Sequence, residues 1–412
     1  MDKKLFTNFI SLSIVQIANY LFPLITIPYL VRVLGAEKFG LISFAQAFIL
    51  YFSLITNYGF NLSAPRSISI NRDDLSEVSR IFNSIMILKI ILMFFSLIIL
   101  SLAVLAFDKF RDEWLVYFFT FGFIIGEVLF PLWFFQGMEK MKSIAILSLL
   151  SKLFYTVSIF VFVKSEVDYV LVPLLNSLGV ILSGLISISI VIKKFNILIS
   201  IPKFSDLKTQ LKDGWNIFYS NIAISIYTIS NTFILGIFTS DTIVGYYSAA
   251  EKIIKAFQGL LNPIFQSVYP HISKLAIVSK ESALKLINNL GWKIGLFTII
   301  ISSLIFLFSE QIIYLFLGGS FLRSVAVLKI LSFIPFLIGL SSIYASLFML
   351  GFGFTKKWSK IILTASFVDV MLVLLFVWII PLGEVGVSIS WLFTEIFVVM
   401  ISYLYFRNLR YK

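Results

Sequence analysis

The sequence predicts an all-α integral membrane protein with twelve transmembrane helices in two parallel six-helix halves. Three observations carry this. Twelve apolar runs, each long enough to cross a bilayer, occupy nearly the whole chain. Of the 412 residues 59% are hydrophobic and 13% charged, with a mean hydropathy of +0.99. Basic residues collect at alternate ends of the runs. The hydrocarbon core is about 30 Å thick and a helix rises about 1.5 Å per residue, so about 20 apolar residues cross it. Within lipid each backbone polar group needs a partner in its own segment, which a helix supplies.

The expected spans are residues 9–34, 40–59, 81–107, 114–135, 144–163, 169–192, 214–238, 243–269, 291–309, 326–351, 360–380 and 385–406. The first follows Met1, Asp2, Lys3 and Lys4 and runs through Pro23 and Pro28. It is too long for a signal peptide and no small-residue cleavage site follows, so it reads as an uncleaved helix. Lys and Arg crowd cytoplasmic ends. With the N-terminus inside, 21 of the basic residues fall in cytoplasmic segments and five (Lys38, Lys109, Arg111, Lys164, Arg323) outside. Both termini are therefore expected in the cytoplasm. The longest external loop, about Glu310–Val325, has roughly 16 residues; the longest cytoplasmic connections are about 60–80, 193–213 and 270–290.

A shift of 205 residues lays the second span on the eighth without a gap: Gly40, Ser43, Ala45, Ile49, Phe52, Asn57, Phe60 and Pro65 meet Gly245, Ser248, Ala250, Ile254, Phe257, Asn262, Phe265 and Pro270. Six helices per half is an even number, so both halves sit the same way up, and parallel repeats of this kind place transport sites near mid-membrane at the repeat interface. The expected organisation is an N-terminal lobe at 1–192, a basic cytoplasmic linker at 193–213 and a C-terminal lobe at 214–412.

The eighth span carries Ser248, Glu251, Lys255, Gln258, Asn262 and Gln266 on one helical face. The second carries Ser43, Gln46, Ser53, Asn57 and Asn61 at matching positions, with Leu50 as the apolar gap. Hydrogen bonding between helices is the plain alternative for such a stripe, worth about 0.6 kcal/mol per group. With Glu251 and Lys255 in it, the stripe reads as a cavity face.

Charges at membrane depth cost about 2.5–3.5 kcal/mol at a helix centre and mark function by default. Lys89, Lys152, Lys252, Lys255, Glu127, Glu251, Asp369 and Glu395 lie deep. Arg32, Lys293 and Lys329 lie near helix ends, where long stems reach the headgroups. Glu251 precedes Lys255 by four residues, the favourable order for a pair on one helix, which leaves Lys252 as the unpaired cation. Asp369 and Glu395 pair with a lysine, stay protonated or exchange an ion during transport. Pro23 and Pro28 each remove a ladder bond and are expected to kink the first helix.

Cysteine is absent, which excludes disulfides and thiolate metal sites. A single histidine, His271, argues against a histidine metal cluster. No P-loop or zinc-ligand spacing occurs. No cofactor, no metal and no catalytic residue is expected, and the net charge of +12 reads as topology rather than nucleic-acid binding.

Several strings resemble the bacterial O-antigen flippases, the polysaccharide-transport branch of the multidrug/oligosaccharidyl-lipid/polysaccharide exporter superfamily. They are Phe22-Pro23-Leu24-Ile25-Thr26-Ile27-Pro28-Tyr29-Leu30, Arg32-Val33-Leu34-Gly35 followed by Phe39-Gly40, Tyr58-Gly59-Phe60 with Ala64-Pro65-Arg66, Trp133-Phe134-Phe135-Gln136-Gly137, and Gly245-Tyr246-Tyr247-Ser248-Ala249-Ala250-Glu251-Lys252. The resemblance implies two six-helix lobes around a central cavity in the bacterial inner membrane. It implies an oligosaccharide repeat unit on an undecaprenyl diphosphate carrier as substrate, moved outward by alternating access with an ion gradient. A diphosphate and sugar need cations and hydrogen-bond donors. The candidate substrate-binding residues are Lys89, Lys152, Lys252, Lys255, Arg66, Gln46, Asn57, Gln258 and Asn262; the candidate coupling residues are Glu127, Asp369, Glu395 and Glu251. Expected partners are the lipid-linked oligosaccharide, membrane lipids and other polysaccharide assembly proteins, for a monomer that binds no nucleic acid. Two other readings stay open. A multidrug or cation antiporter of the same superfamily would favour an acidic cavity. A membrane O-antigen polymerase or ligase, an enzyme, would need a large external loop.

Overall fold

The structure, a computed structural model, describes residues 3–410, with side chains from Val15 to Leu409 apart from nine positions between Ser220 and Gln266. The side chains of Lys3, Lys4, Gln266, Arg410 and Lys412 lie outside the described residues. Among the described residues every regular element is a helix.

Nine stretches are long and apolar enough to cross a membrane among those residues, which makes the chain a multi-pass membrane protein. The first, Val15–Ile70, takes in the first two expected spans. Backbone angles stay helical through Pro23 and Pro28, and the break falls at Gly35 (φ 70°, ψ 179°). The break falls at a glycine because glycine reaches positive φ without a Cβ clash. The Phe204–Phe238 and Asp241–Val278 helices coincide with the expected seventh and eighth spans. The latter carries Glu251, Lys252 and Lys255 within its expected span. The long helices therefore follow the twelve expected spans in order.

Three expected connections are largely helical. Residues 60–80 hold the Phe60–Ile70 helix and the start of Leu75–Ala106. Residues 270–290 complete one helix and begin the next, separated by Ser279, whose side chain caps Lys280–Leu307 by accepting from the Ser282 amide at 3.3 Å. The stretch after the ninth expected span holds the Ser309–Phe316 helix and a short 3-10 turn, Gly319–Phe321. Hydropathy marks where a helix meets lipid, and these helices continue past that boundary.

By contacts the chain divides into two units. The first comprises the described residues up to Phe22 together with Ala45–Ile222. Its core gathers Phe60, Phe82, Trp133, Phe134 and Phe135, all buried. Trp114–Leu129 packs closely on Leu171–Phe195: a Cβ on Gly126 would come within 2.6 Å of Val180. Small residues let membrane helices approach in this way. The second unit comprises Pro23–Phe44 and the described residues from Ala223 onward. Its core gathers Ile343, Phe348, Met349, Ala365 and Phe406. Two of its helices contain π-helical stretches, Ser342–Leu350 and Leu375–Ile379, a distortion that recurs at functional sites.

Candidate functional site

Within the first unit, three of the sequence candidates meet in one buried network. Lys89, on Leu75–Ala106, is 1% exposed. Its Nζ donates to Asn57 Oδ1 at 3.0 Å and to the Glu127 carbonyl at 3.3 Å. The Glu127 carboxylate accepts from Ser53 Oγ at 2.5 Å and from Asn57 Nδ2 at 3.4 Å. Asn57 also donates to Ser53 Oγ at 3.1 Å. The amide of Asn57 thus bridges ammonium and carboxylate, accepting from one and donating to the other. The polar face of the second span supplies Ser53 and Asn57, and the third and fourth spans supply the charges. Buried polar groups are hydrogen-bonded as a rule, and this network supplies hydrogen bonds to both the ammonium and the carboxyl group through Asn57.

The other candidates of this unit lie outside that network. Lys152 is half-buried, and among the described residues it makes no hydrogen bond or ion pair. Arg66 is exposed and equally unpartnered. Gln46 is half-buried.

In the second unit, the expected Glu251–Lys255 pair is formed, Nζ to Oε1 at 2.9 Å, with Glu251 buried and Lys255 44% exposed. Glu251 also accepts, at longer range, from Thr232 Oγ1 (3.4 Å) and Tyr247 OH (3.5 Å). The expectation that Lys252 is unpaired is corrected: its Nζ donates to Ser43 Oγ at 3.2 Å and lies 4.7 Å from the centre of the Phe39 ring. The hydroxyl and the ring face together replace part of the hydration of the ammonium.

Along the Asp241–Val278 helix the stripe runs from buried to exposed. Ser248 is buried, Gln258 half-buried and Asn262 exposed. The Ser248 hydroxyl and Gln258 Nε2 are buried without a hydrogen-bond partner. Asp369 and Glu395 are both buried. Asp369 Oδ1 accepts from Thr394 Oγ1 at 3.1 Å, whereas Oδ2 has no partner. Its hydrogen-bond partner is thus a hydroxyl rather than the lysine that one sequence reading allowed. This unit thus buries three carboxyl groups, with Glu251 beside Tyr247, Thr232 and Lys255, and Asp369 beside Thr394. Thr232, Tyr247 and Thr394 take part without having been candidate site residues in the sequence.

The comparisons with known proteins agree with this architecture. Residues 5–276, more than half of the chain, match the family described as "Polysaccharide biosynthesis protein". A protein of Escherichia coli (strain K12) named "Putative O-antigen transporter" is 34% identical over 405 residues, covering 97% of this chain and 96% of its own. One of the same name from Shigella dysenteriae is 32% identical over 395 residues, covering 95% and 98%. Among solved structures, an inward-facing multidrug resistance MATE family transporter of the MOP superfamily superposes with a TM-score of 0.69 at 16% identity, covering 94% of both chains. The lipid II flippase MurJ, in an inward closed conformation, superposes with a TM-score of 0.67 at 16% identity, covering 97% of this chain and 87% of its own. Likeness at that identity establishes a shared fold. The family match and the 34% and 32% identity over nearly the whole chain to two relatives named for O-antigen transport establish more: this chain belongs to the polysaccharide biosynthesis protein family, in the branch of those relatives.

Proposed function

We propose that this protein is a flippase that moves oligosaccharide repeat units, linked to undecaprenyl diphosphate, from the cytoplasmic to the external leaflet of the bacterial inner membrane. The observation that carries the reading is the 34% identity over 405 residues to the Escherichia coli relative named for O-antigen transport. The chemistry of the chain is compatible with it. A diphosphate headgroup needs cations at membrane depth. Lys152 and Lys255 lie in spanning helices, the first without a partner and the second half-exposed beside Glu251. Lys89 and Lys252 are already hydrogen-bonded to neighbouring side chains and act first as structural cations that position Asn57 and Ser43. Gln258 and Asn262 continue the polar face as hydrogen-bonding groups for sugar; Gln46 and Arg66 complete the set.

Twelve crossings with both termini in the cytoplasm, a monomeric state and alternating access belong to the same proposal. So does ion coupling. The buried Asp369 carboxylate, with one oxygen on Thr394 and the other unpartnered, is the group that takes up H⁺ or Na⁺, with Glu395, Glu251 and Glu127 as further candidates. No step requires the protein to make or break a covalent bond, so the chain is read as a transporter and not an enzyme.

The test is depletion of the protein in cells followed by measurement of which leaflet holds the lipid-linked oligosaccharide. Accumulation of full-length repeat units on the cytoplasmic leaflet, with surface polymer lost, is the expected result. Accumulation on the external leaflet would point instead to the polymerase or ligase step.

A further inference from the structure

The Leu171–Phe195 helix ends on Lys193 and Lys194, and Asn196 closes it in left-handed backbone (φ 52°, ψ 38°). Residues 196–203 then run without regular structure, yet they are pinned to the same unit. The Leu198 amide donates to Ser79 Oγ at 3.2 Å, and Asn83 Nδ2 donates to the Leu198 carbonyl at 2.7 Å and to Ser200 Oγ at 3.3 Å. Phe195 stands edge-on to Phe134 and Phe135, and Ile197 is buried in the core. At the far end the Lys203 amide donates to the Asp206 carboxylate at 3.2 Å, and Arg80 holds that carboxylate at 2.7 Å.

A segment anchored at so many points presents its outward side chains by construction. Those side chains are Leu198, Ile199, Ile201 and Phe204, and Ile201 is 93% exposed. On the Leu171–Phe195 helix itself the apolar side chains of Leu185, Ile186 and Ile190, with Ser189, line a shallow, open groove that ends at Lys193 and Lys194. Among the described residues neither lysine side chain, nor that of Lys203, has a hydrogen bond or ion pair. An apolar groove on a spanning helix, an apolar edge next to it in the chain and three unpaired cations flanking them match the profile of a phospholipid: acyl chain, interface, phosphate. Basic pockets at the membrane surface select anionic headgroups in this way, and apolar side chains flanked by lysines settle at the headgroup boundary.

We propose that this groove is a binding site for one anionic phospholipid. An acyl chain lies along Leu185, Ile186 and Ile190, the phosphate meets Lys193 and Lys194, and the 198–204 edge rests in the headgroup layer beside Lys203. The site is separate from the flippase cargo, and none of its residues belongs to the networks around Lys89 or Glu251.

The experiment is native mass spectrometry of the full chain, purified from detergent containing equal phosphatidylglycerol and phosphatidylcholine. Each surface lysine favours an anionic lipid by about fivefold. The expected result is retention of phosphatidylglycerol over phosphatidylcholine by roughly tenfold or more, lost in K193Q/K194Q and restored in K193R/K194R. A control pair, K274Q/K280Q, should leave the preference intact. The proposal is overturned if K193Q/K194Q keeps the wild-type preference, or if the control pair lowers it equally. It is also overturned if soluble glycerol phosphate displaces the lipid, because the groove then adds nothing. Displacement by an equal concentration of a polyprenyl diphosphate would reassign the site to the cargo.

Discussion

Gly40 and Gly245, which correspond across the 205-residue repeat, sit where two helix starts cross with no room for a side chain. A Cβ on Gly40 would lie 1.7 Å from the carbonyl oxygen of Asp241, and one on Gly245 would lie 2.0 Å from that of Ala36. Ala36 and Asp241 are themselves 205 residues apart. The contact is therefore reciprocal: each glycine lies against the residue four positions before the other. A crossing that is symmetric about the two glycines produces this pattern, and it sets residues related by the 205-residue shift against one another.

The first prediction follows directly. Gly40→Ala and Gly245→Ala each force backbone apart at the crossing, and overpacking of this kind costs about 1–3 kcal/mol. Both variants should unfold at lower temperature in detergent. Gly319→Ala, at a glycine with nothing near its missing Cβ, should behave as wild type. Equal stability of all four proteins would show that the crossing is loose.

A second prediction concerns the Lys89 network. Removing one member of a buried charge pair strands the other and costs about 3–5 kcal/mol, whereas replacing both is much cheaper. Lys89→Met should therefore destabilise strongly, and Lys89→Met with Glu127→Gln should recover part of the loss. A thermal-unfolding cycle over the two single variants and the double variant measures the coupling, expected at about 1 kcal/mol or more. Additive effects would mean that Asn57 insulates the charges rather than bridging them.

Much of this was legible before any coordinates, and the exceptions have physical causes. Helix order followed from hydropathy because lipid contact demands apolar surface. Helix ends did not, because the Phe60–Ile70 and Asp241–Val278 helices continue where the apolar signal stops. Glu251 and Lys255 were visible as a pair because four residues on one helix fix their separation. The partners of Lys89 and Lys252 were not, since Asn57 and Ser43 lie on other helices and only packing brings them together. Tyr247, Thr232 and Thr394 carried no signal: a lone hydroxyl in an apolar helix looks the same whether it bonds its own backbone or a buried carboxylate.

Lys152 gives a third prediction. It makes no hydrogen bond or ion pair among the described residues, so it has no internal contact to lose. Lys152→Gln should leave stability within about 0.5 kcal/mol of wild type or raise it, since an unpaired charge at membrane depth is costly. Lys152→Glu should abolish surface polysaccharide at normal expression, because it sets a carboxylate against the diphosphate. Normal polymer from the reversal variant would remove Lys152 from the cargo path and leave Lys255 as the cation to test.

Asp369 gives the fourth. One of its oxygens accepts from Thr394 and the other is buried without a partner. Asp369 and Glu395 are both buried in the second unit, and a proton or small cation at that oxygen would neutralise one of the two carboxylates. Asp369→Asn keeps the shape and the Thr394 bond while removing the charge, so folding should survive. Transport measured in inverted vesicles should then lose its response to an imposed ion gradient while any slow gradient-independent flipping persists. Thr394→Val, which removes the hydroxyl and spares the carboxylate, should retain the response at reduced amplitude. A gradient response unchanged in Asp369→Asn, and unchanged again when Glu395→Gln is added, would assign both carboxylates to helix packing and move the search for the coupling group to Glu251 and Glu127.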